Sequence, residues 1–225
     1  ARDQFRTEAS ITHPNIVLPT SAHAAFDKAA AYFGVELRRV EVLPNWRADV
    51  ATMAERIDKN TIMIVGSAPQ YPQGVVDDIP ALAALAQRQN INCHVDACMG
   101  GVSLAYLSRL GHQIPPWNLH VDGVTSISVD LHKFGYTSKG ASVIMYANKR
   151  LRSFQGFFTD QWLGGVYASS GMLGTKSGGA IAAAWAVMHF LGDDGYLRLT
   201  QSARVATEKL AHHISGHPHL SLLAQ

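Results

Sequence analysis

The sequence predicts an α/β domain built on a mostly parallel sheet flanked by helices. Three observations carry that expectation. Short aliphatic runs, foremost Thr61 to Gly66 (TIMIVG), suit strands covered on both faces. Stretches with helical periodicity separate them, as in Asp78 to Asn90. Polar residues follow three of the strands, at Gly66-Ser67, Asp96 and Asp130 to Lys133. Ligands of such sheets bind outside the carboxyl ends of the strands.

Taken in order, Asn15 to Leu18 reads as a strand, and Ser21 to Phe33 as a helix with Ser21 as N-cap and Gly34 as its stop. Val35 to Leu43 is a strand of mixed polarity. Asp49 to Lys59 is helical, with Asp49 suited to cap it. After TIMIVG and the Ala/Leu helix at Asp78, further strands are expected at Ile91 to Asp96, Gly123 to Val129 and Ser142 to Tyr146. Beyond Lys149 the pattern turns mainly helical, with long helices at Gly178 to Leu191 and Tyr196 to Ile214. Leu220 to Leu223 reads as a strand opening a new unit.

Composition narrows the function classes. The 225 residues are 47% apolar and 16% charged, which excludes a disordered chain. A net charge of +2 leaves no electrostatic footprint for nucleic acid. No apolar run reaches membrane-spanning length, the longest (Gly178 to Leu191) being broken by His189. No secretory leader is visible. The only cysteines, Cys93 and Cys98, are expected as free thiols in a reducing, cytoplasmic setting. The tryptophans Trp117, Trp162 and Trp185 suit a core or an interface, and most histidines outside the motifs suit the surface.

Ser128-Val129-Asp130-Leu131-His132-Lys133 runs a β-branched strand straight into a His-Lys pair. Desolvation at the sheet edge would lower the pKa of Lys133 and make its amine the nucleophile that Schiff-base chemistry requires. A solvated loop lysine is the alternative. Asp96 ends an apolar strand within His94-Val95-Asp96-Ala97-Cys98-Met99-Gly100-Gly101, and a carboxylate buried there needs a cationic partner. A protonated pyridine or an arginine would serve, and the glycines would admit a flat ligand or another backbone. A metal site of Cys93, His94, Asp96 and Cys98 is opposed by strand alternation, which points Cys93 and His94 to opposite faces. His23, after the first strand, can lie flat on a ligand at the sheet edge or simply sit exposed near a helix start. Ser67 and Tyr71, in a loop shaped by Pro69, Pro72, Gly66 and Gly74, could face the site or form a turn.

Their order, a His, then a strand-end Asp-Ala, then Asp-x-His-Lys, resembles the group II pyridoxal-phosphate decarboxylases. The stretches SAHAAFDKAAAYFG, PQYPQGVVDDIPALA, HVDACMGG, GVTSISVDLHKFGYTSKGAS and GGVYASSGMLGTKSGG resemble the sphingosine-1-phosphate lyase branch of that family, from about Asn15 onward. The resemblance implies the central part of a fold type I large domain over residues 1–190, followed by a connecting helix and the start of a small domain over 191–225. It implies pyridoxal 5'-phosphate as cofactor, Lys133 as its Schiff-base lysine, Asp96 at the pyridine nitrogen and His23 stacked on the ring. Cys98 would lie under the ring, His132 near the cofactor phosphate, Ser67 beside the cofactor, and Lys139 and Tyr71 near the reacting substrate. Gly174 and Thr175 would belong to a phosphate loop shared across a homodimer. There the family's Gly-Ser-Arg is replaced by Gly174-Thr175-Lys176, which keeps the charge and loses the bidentate fork.

The implied reaction is carbon–carbon cleavage of a phosphorylated sphingoid base, with an amino-acid decarboxylase as the nearest rival and a non-catalytic fragment as another. The family's upstream Gly-Gly-Thr-Glu-Ser cradle is absent from these residues, so the chain on its own is expected to be poorly soluble and inactive. An anchored relative would present this part to the cytosol at the endoplasmic reticulum.

Overall fold

The computed structural model describes residues 1–223. Helix α1 (Arg2–Ala9) precedes strand β1 (Asn15–Pro19), helix α2 (Ala25–Phe33) and strand β2 (Glu36–Val40). Helix α3 (Val50–Glu55) leads to β3 (Thr61–Ser67), and α4 (Ile79–Arg88) to β4 (Asn92–Asp96). Helix α5 (Gly100–Arg109) leads to β5 (Ser126–Asp130), and β6 (Ser142–Tyr146) to the short α6 (Lys149–Ser153). A hairpin of β7 (Phe157–Trp162) and β8 (Gly165–Ser169) precedes the long α7 (Gly179–Ser215).

Six strands form one sheet in the order β2-β1-β3-β4-β5-β6. The first five run parallel, and β6 closes the edge antiparallel to β5. The expected mostly parallel α/β sheet is therefore present. The larger core lies on the face covered by α4 and α5, where Ile79, Leu82, Ala83 and Leu104 meet Ile64, Cys93, Val95, Ile127 and Val129. On the other face Ile16, Leu18 and Val65 pack against Phe5 of α1 and Phe26 of α2. Burying both faces explains why β1, β3 and β4 carry almost no exposed residue.

Several boundaries differ from the sequence reading, each for a local reason. Ser21 does not cap α2. The helix starts at Ala25, and the imidazole of His23 accepts the Ala25 N–H at 3.0 Å through Nδ1. Gly34 does stop it, in a left-handed conformation at φ 61°. Asp49 caps α3 as expected, accepting from Thr52 N–H, and Asp78 caps α4, accepting from Ala81 N–H. Helix α3 ends at Glu55, because Asp58 is used elsewhere. The two expected C-terminal helices meet at Gly192 (φ 54°, ψ −174°) inside α7. Leu220 to Leu223 is not a strand. Trp117 is buried in the core, whereas Trp162 and Trp185 are exposed in this chain.

Asp58 ties the amino-terminal ends of three strands together. It accepts from Asn15 Nδ2 and Asn60 N–H at 2.8 Å each, and its other oxygen lies 2.8 Å from Arg38. Partial burial alone would raise its pKa, but these donors and the Arg38 charge hold it at about 2. A carboxylate with a depressed folded pKa stabilises above its unfolded value and loses that contribution as pH falls toward the folded one. Asp58→Ala should therefore cost about 1–2 kcal/mol at neutral pH, most of it from leaving the buried Asn15 amide unpaired, with solvent screening limiting the ionic part. The deficit should shrink between pH ~4 and ~2 as the wild-type carboxylate protonates. Urea melts at several pH values check this, and a deficit independent of pH would refute the ionic contribution.

Candidate active site

Parallel strands place their carboxyl ends on one edge, so the residues after β1, β3, β4 and β5 converge there. The order reverses between β1 and β3, since β2 lies on one side of β1 and β3 on the other. Crevices form at such reversals. His23 follows β1 and Tyr71 follows β3, and across this crevice their rings meet edge to face at 6.3 Å. Ser67 lies in register with Asp96, and Asp96 in turn with Ser128. Its N–H donates to the buried carboxylate of Asp77 at 2.8 Å, which also accepts from Ala48 N–H. Burial holds the Asp77 carboxyl above the usual range despite those two donors and the nearby Arg47. Ser21 Oγ, buried just before His23, has no hydrogen-bond partner among the described residues.

Asp96 is 9% exposed. Its Oδ1 accepts from Cys98 N–H at 3.1 Å and from Ser128 Oγ at 3.0 Å. No hydrogen bond reaches Oδ2 among the described residues, so one oxygen of a buried carboxylate remains for a cationic donor. A protonated ring nitrogen fits that vacancy in donor chemistry. The glycines after Asp96 serve protein packing. A Cβ on Gly100 would stand 2.3 Å from the Ala68 carbonyl oxygen, and one on Gly101 would strike Val129 at 2.5 Å. Of the two readings left open, the close approach is by protein atoms of the β3 loop and β5. Gly100→Ala should cost about 1–3 kcal/mol through overpacking. It should also loosen the start of α5, which thermal melts and amide exchange at Gly101 to Leu104 would register. A melting temperature unchanged from wild type would contradict this packing.

Lys133 is presented by a tight turn after β5. Its Nζ lies 3.0 Å from Asp130 Oδ2 and 2.9 Å from Cys98 Sγ. Burial does act to lower its pKa, as the sequence suggests, but the contacts with Cys98 and Asp130 outweigh it and hold the ammonium above its ordinary value. The lysine is thus an ion-paired cation in this state, which corrects the expectation of a depressed pKa. Burial acts to raise the Asp130 carboxyl, yet hydrogen bonds from Ser142 Oγ (2.6 Å) and Lys133 keep it below the usual range. The Cys98 thiol is pushed up to about 11, chiefly by burial, and so stays neutral. His132 Nδ1 donates to the Ala141 carbonyl at 2.8 Å, and its Nε2 lies 3.6 Å from Asp130.

Asp96, Cys98, Lys133, Asp130 and His132 therefore form one contact cluster, with His23, Tyr71 and Ser67 on the same edge. Lys139 lies exposed on the segment between Lys133 and β6. Gly174 and Thr175 are exposed beside the β7–β8 hairpin, where Ser169 Oγ bonds the Leu173 carbonyl. No hydrogen bond or ion pair among the described residues joins Lys139, Gly174 or Thr175 to the cluster. The sequence reading passed over Asp130 as a site residue, although it stands three residues before Lys133 at a strand end. It weighed His94 only as a metal ligand and passed over Ser126 and Ser128, although the alternation of these three with Val95, Ile127 and Val129 is a face signal.

A sphingosine-1-phosphate lyase of Arabidopsis thaliana is 45% identical over 210 residues, covering 93% of this chain and 39% of that protein. An L-aspartate/L-glutamate decarboxylase of Pyrococcus horikoshii is 36% identical over 199 residues, covering 88% of this chain and 52% of that protein. The structure of a Burkholderia pseudomallei sphingosine-1-phosphate lyase superposes with a TM-score of 0.96 at 39% identity, covering all of this chain and 52% of that one. The chain thus spans about two fifths to half the length of these relatives. Residues 2–224 match the pyridoxal-dependent decarboxylase conserved domain, and the chain belongs to the pyridoxal-dependent decarboxylase family.

Proposed function

We propose that this chain is the cofactor-binding centre of a pyridoxal-phosphate-dependent lyase. The enzyme would cleave a phosphorylated long-chain base to a fatty aldehyde and phosphoethanolamine. The observation that carries the lyase reading over a decarboxylase is the higher identity to the sphingosine-1-phosphate lyase of Arabidopsis, 45% against 36% for the Pyrococcus decarboxylase. Bound pyridoxal phosphate supplies an electron sink for the pair left when a bond to the amine-bearing carbon breaks.

The chain's own residues supply the rest. Lys133 would hold the cofactor covalently through its side-chain amine. Asp130, 3.0 Å away, holds the ammonium as an ion pair and so sets the pH at which it can lose its proton and react as an amine. Asp96 would hold the ring nitrogen, and His23 would lie against the ring. Cys98 packs beside Lys133, and His132 would lie near the phosphate. Tyr71 and Lys139 are the groups proposed to take the proton from the hydroxyl next to the amine-bearing carbon. The bond between those two carbons then breaks, the aldehyde leaves, and the amine-bearing carbon regains a proton. Gly174 and Thr175 complete the phosphate site from a second copy in a homodimer. The reacting edge is proposed to face the cytosol.

The test is product analysis with the full-length protein. Given a phosphorylated sphingoid base and pyridoxal phosphate, it should release long-chain aldehyde and phosphoethanolamine in equal amounts. Carbon dioxide from aspartate or glutamate, with no aldehyde, would establish the decarboxylase instead.

A further inference from the structure

The open oxygen of Asp96 has a second feature behind it. Strand β4 places His94 and Asp96 on one face because they are two residues apart. Strand β5 pairs Ser126 with His94 and Ser128 with Asp96. The four side chains form an unbroken row. Ser126 Oγ lies 2.8 Å from His94 Nδ1, His94 Nε2 lies 3.3 Å from Ser128 Oγ, and Ser128 Oγ lies 3.0 Å from Asp96 Oδ1.

The direction of the protons follows from chemistry. A carboxylate only accepts, so the Ser128 hydroxyl donates to Asp96. The Ser128 oxygen then accepts from its other neighbour, which requires a hydrogen on His94 Nε2. A neutral ring with Nε2–H leaves a lone pair on Nδ1, and Ser126 donates to it. Every donor in the row points toward Asp96, and aligned hydrogen bonds polarise one another in a buried setting. His94 is 8% exposed and packs edge-on against Phe26 at 6.0 Å. Burial pushes its pKa down to about 4 against the opposing pull of Asp96, so the imidazole stays neutral near pH 7.

We propose that His94, as its Nε2–H tautomer, is a positioning residue that acts through Ser128 to saturate Oδ1 of Asp96, leaving Oδ2 as the oxygen that meets the cofactor's ring nitrogen. The row explains why, in a sheet otherwise packed among aliphatic residues, β4 carries a His and β5 two serines facing it. It rests on the role assigned to Asp96 above, but its first readout does not.

The experiment has two parts. In cofactor-free full-length protein labelled with nitrogen-15 histidine, the His94 signals, identified by their loss in His94→Gln, should show a protonated Nε2 and an unprotonated Nδ1. The opposite tautomer, or an imidazolium at neutral pH, overturns the proposal. In the loaded protein, Ser128→Ala should lower kcat about tenfold with KM little changed. It should also move the nitrogen-15 resonance of labelled pyridoxal phosphate toward the unprotonated pyridine. Ser128→Thr, which keeps the hydroxyl, should restore both. His94→Gln, which can still donate toward Ser128, should fall less than His94→Leu. An unchanged ring-nitrogen signal in a folded Ser128→Ala protein overturns the row's function. Normal turnover in Asp96→Asn would instead overturn the role of Asp96 while leaving the tautomer result standing.

Discussion

Replacement of Lys133 by Ala in the full-length protein will remove covalent attachment of the cofactor and reduce turnover to background. Lys133 is the lysine that touches the cluster around Asp96, through Cys98 Sγ at 2.9 Å and Asp130 at 3.0 Å. Lys139, six residues later, is exposed and makes no such contact among the described residues. Borohydride reduction of the loaded wild-type protein, followed by peptide mapping, should place the label on Lys133. A label on Lys139 would overturn the assignment. Because the Lys133 ammonium is held above its ordinary pKa by its contacts with Cys98 and Asp130, Asp130→Asn should change the pH at which the cofactor attaches. Loss of the pair removes a raising influence, so attachment should extend to lower pH in that variant.

Asp96→Asn should retain part of the cofactor and lose about 10²–10³ in turnover, the scale on which a preorganised charge acts on developing charge. The carboxamide is close in shape and keeps an acceptor for Ser128 and Cys98 N–H. It offers the ring nitrogen no negative charge. The strand should stay folded, because the contacts on Oδ1 survive. Single-turnover kinetics separate this from a binding defect. Near-normal turnover would rule out the electron-sink role, and loss of the fold would show instead as a shifted thermal melt.

Much of this was legible in order along the chain. Residues that end strands were found because β-branched runs stop at them, which is how Asp96 and Lys133 stood out. Helix stops and caps such as Gly34, Asp49 and Asp78 are local events governed by a few bonds, and they appear where side-chain chemistry asks for them. Ser21 was misread because the same side chain can cap a helix or precede one. The outcome turned on His23, whose ring reached the Ala25 N–H first. The β7–β8 hairpin escaped notice because its strands are exposed on both faces and lack an alternating pattern.

The sequence by itself determined the fold class, the strand-end positions of Asp96 and Lys133, and the family resemblance, since each depends on residue type and spacing along one strand or turn. Tertiary structure alone decided which side chains meet across strands. Register between β4 and β5, set by the packing of both sheet faces, aligned Ser126 and Ser128 with His94 and Asp96. The reversal of strand order between β1 and β3 brought His23 onto Tyr71. The sign of the Lys133 shift was likewise undecidable from the chain. Burial and polar contacts push a lysine in opposite directions, and only the 2.9 Å contact with Cys98 and the 3.0 Å separation from Asp130 show which wins.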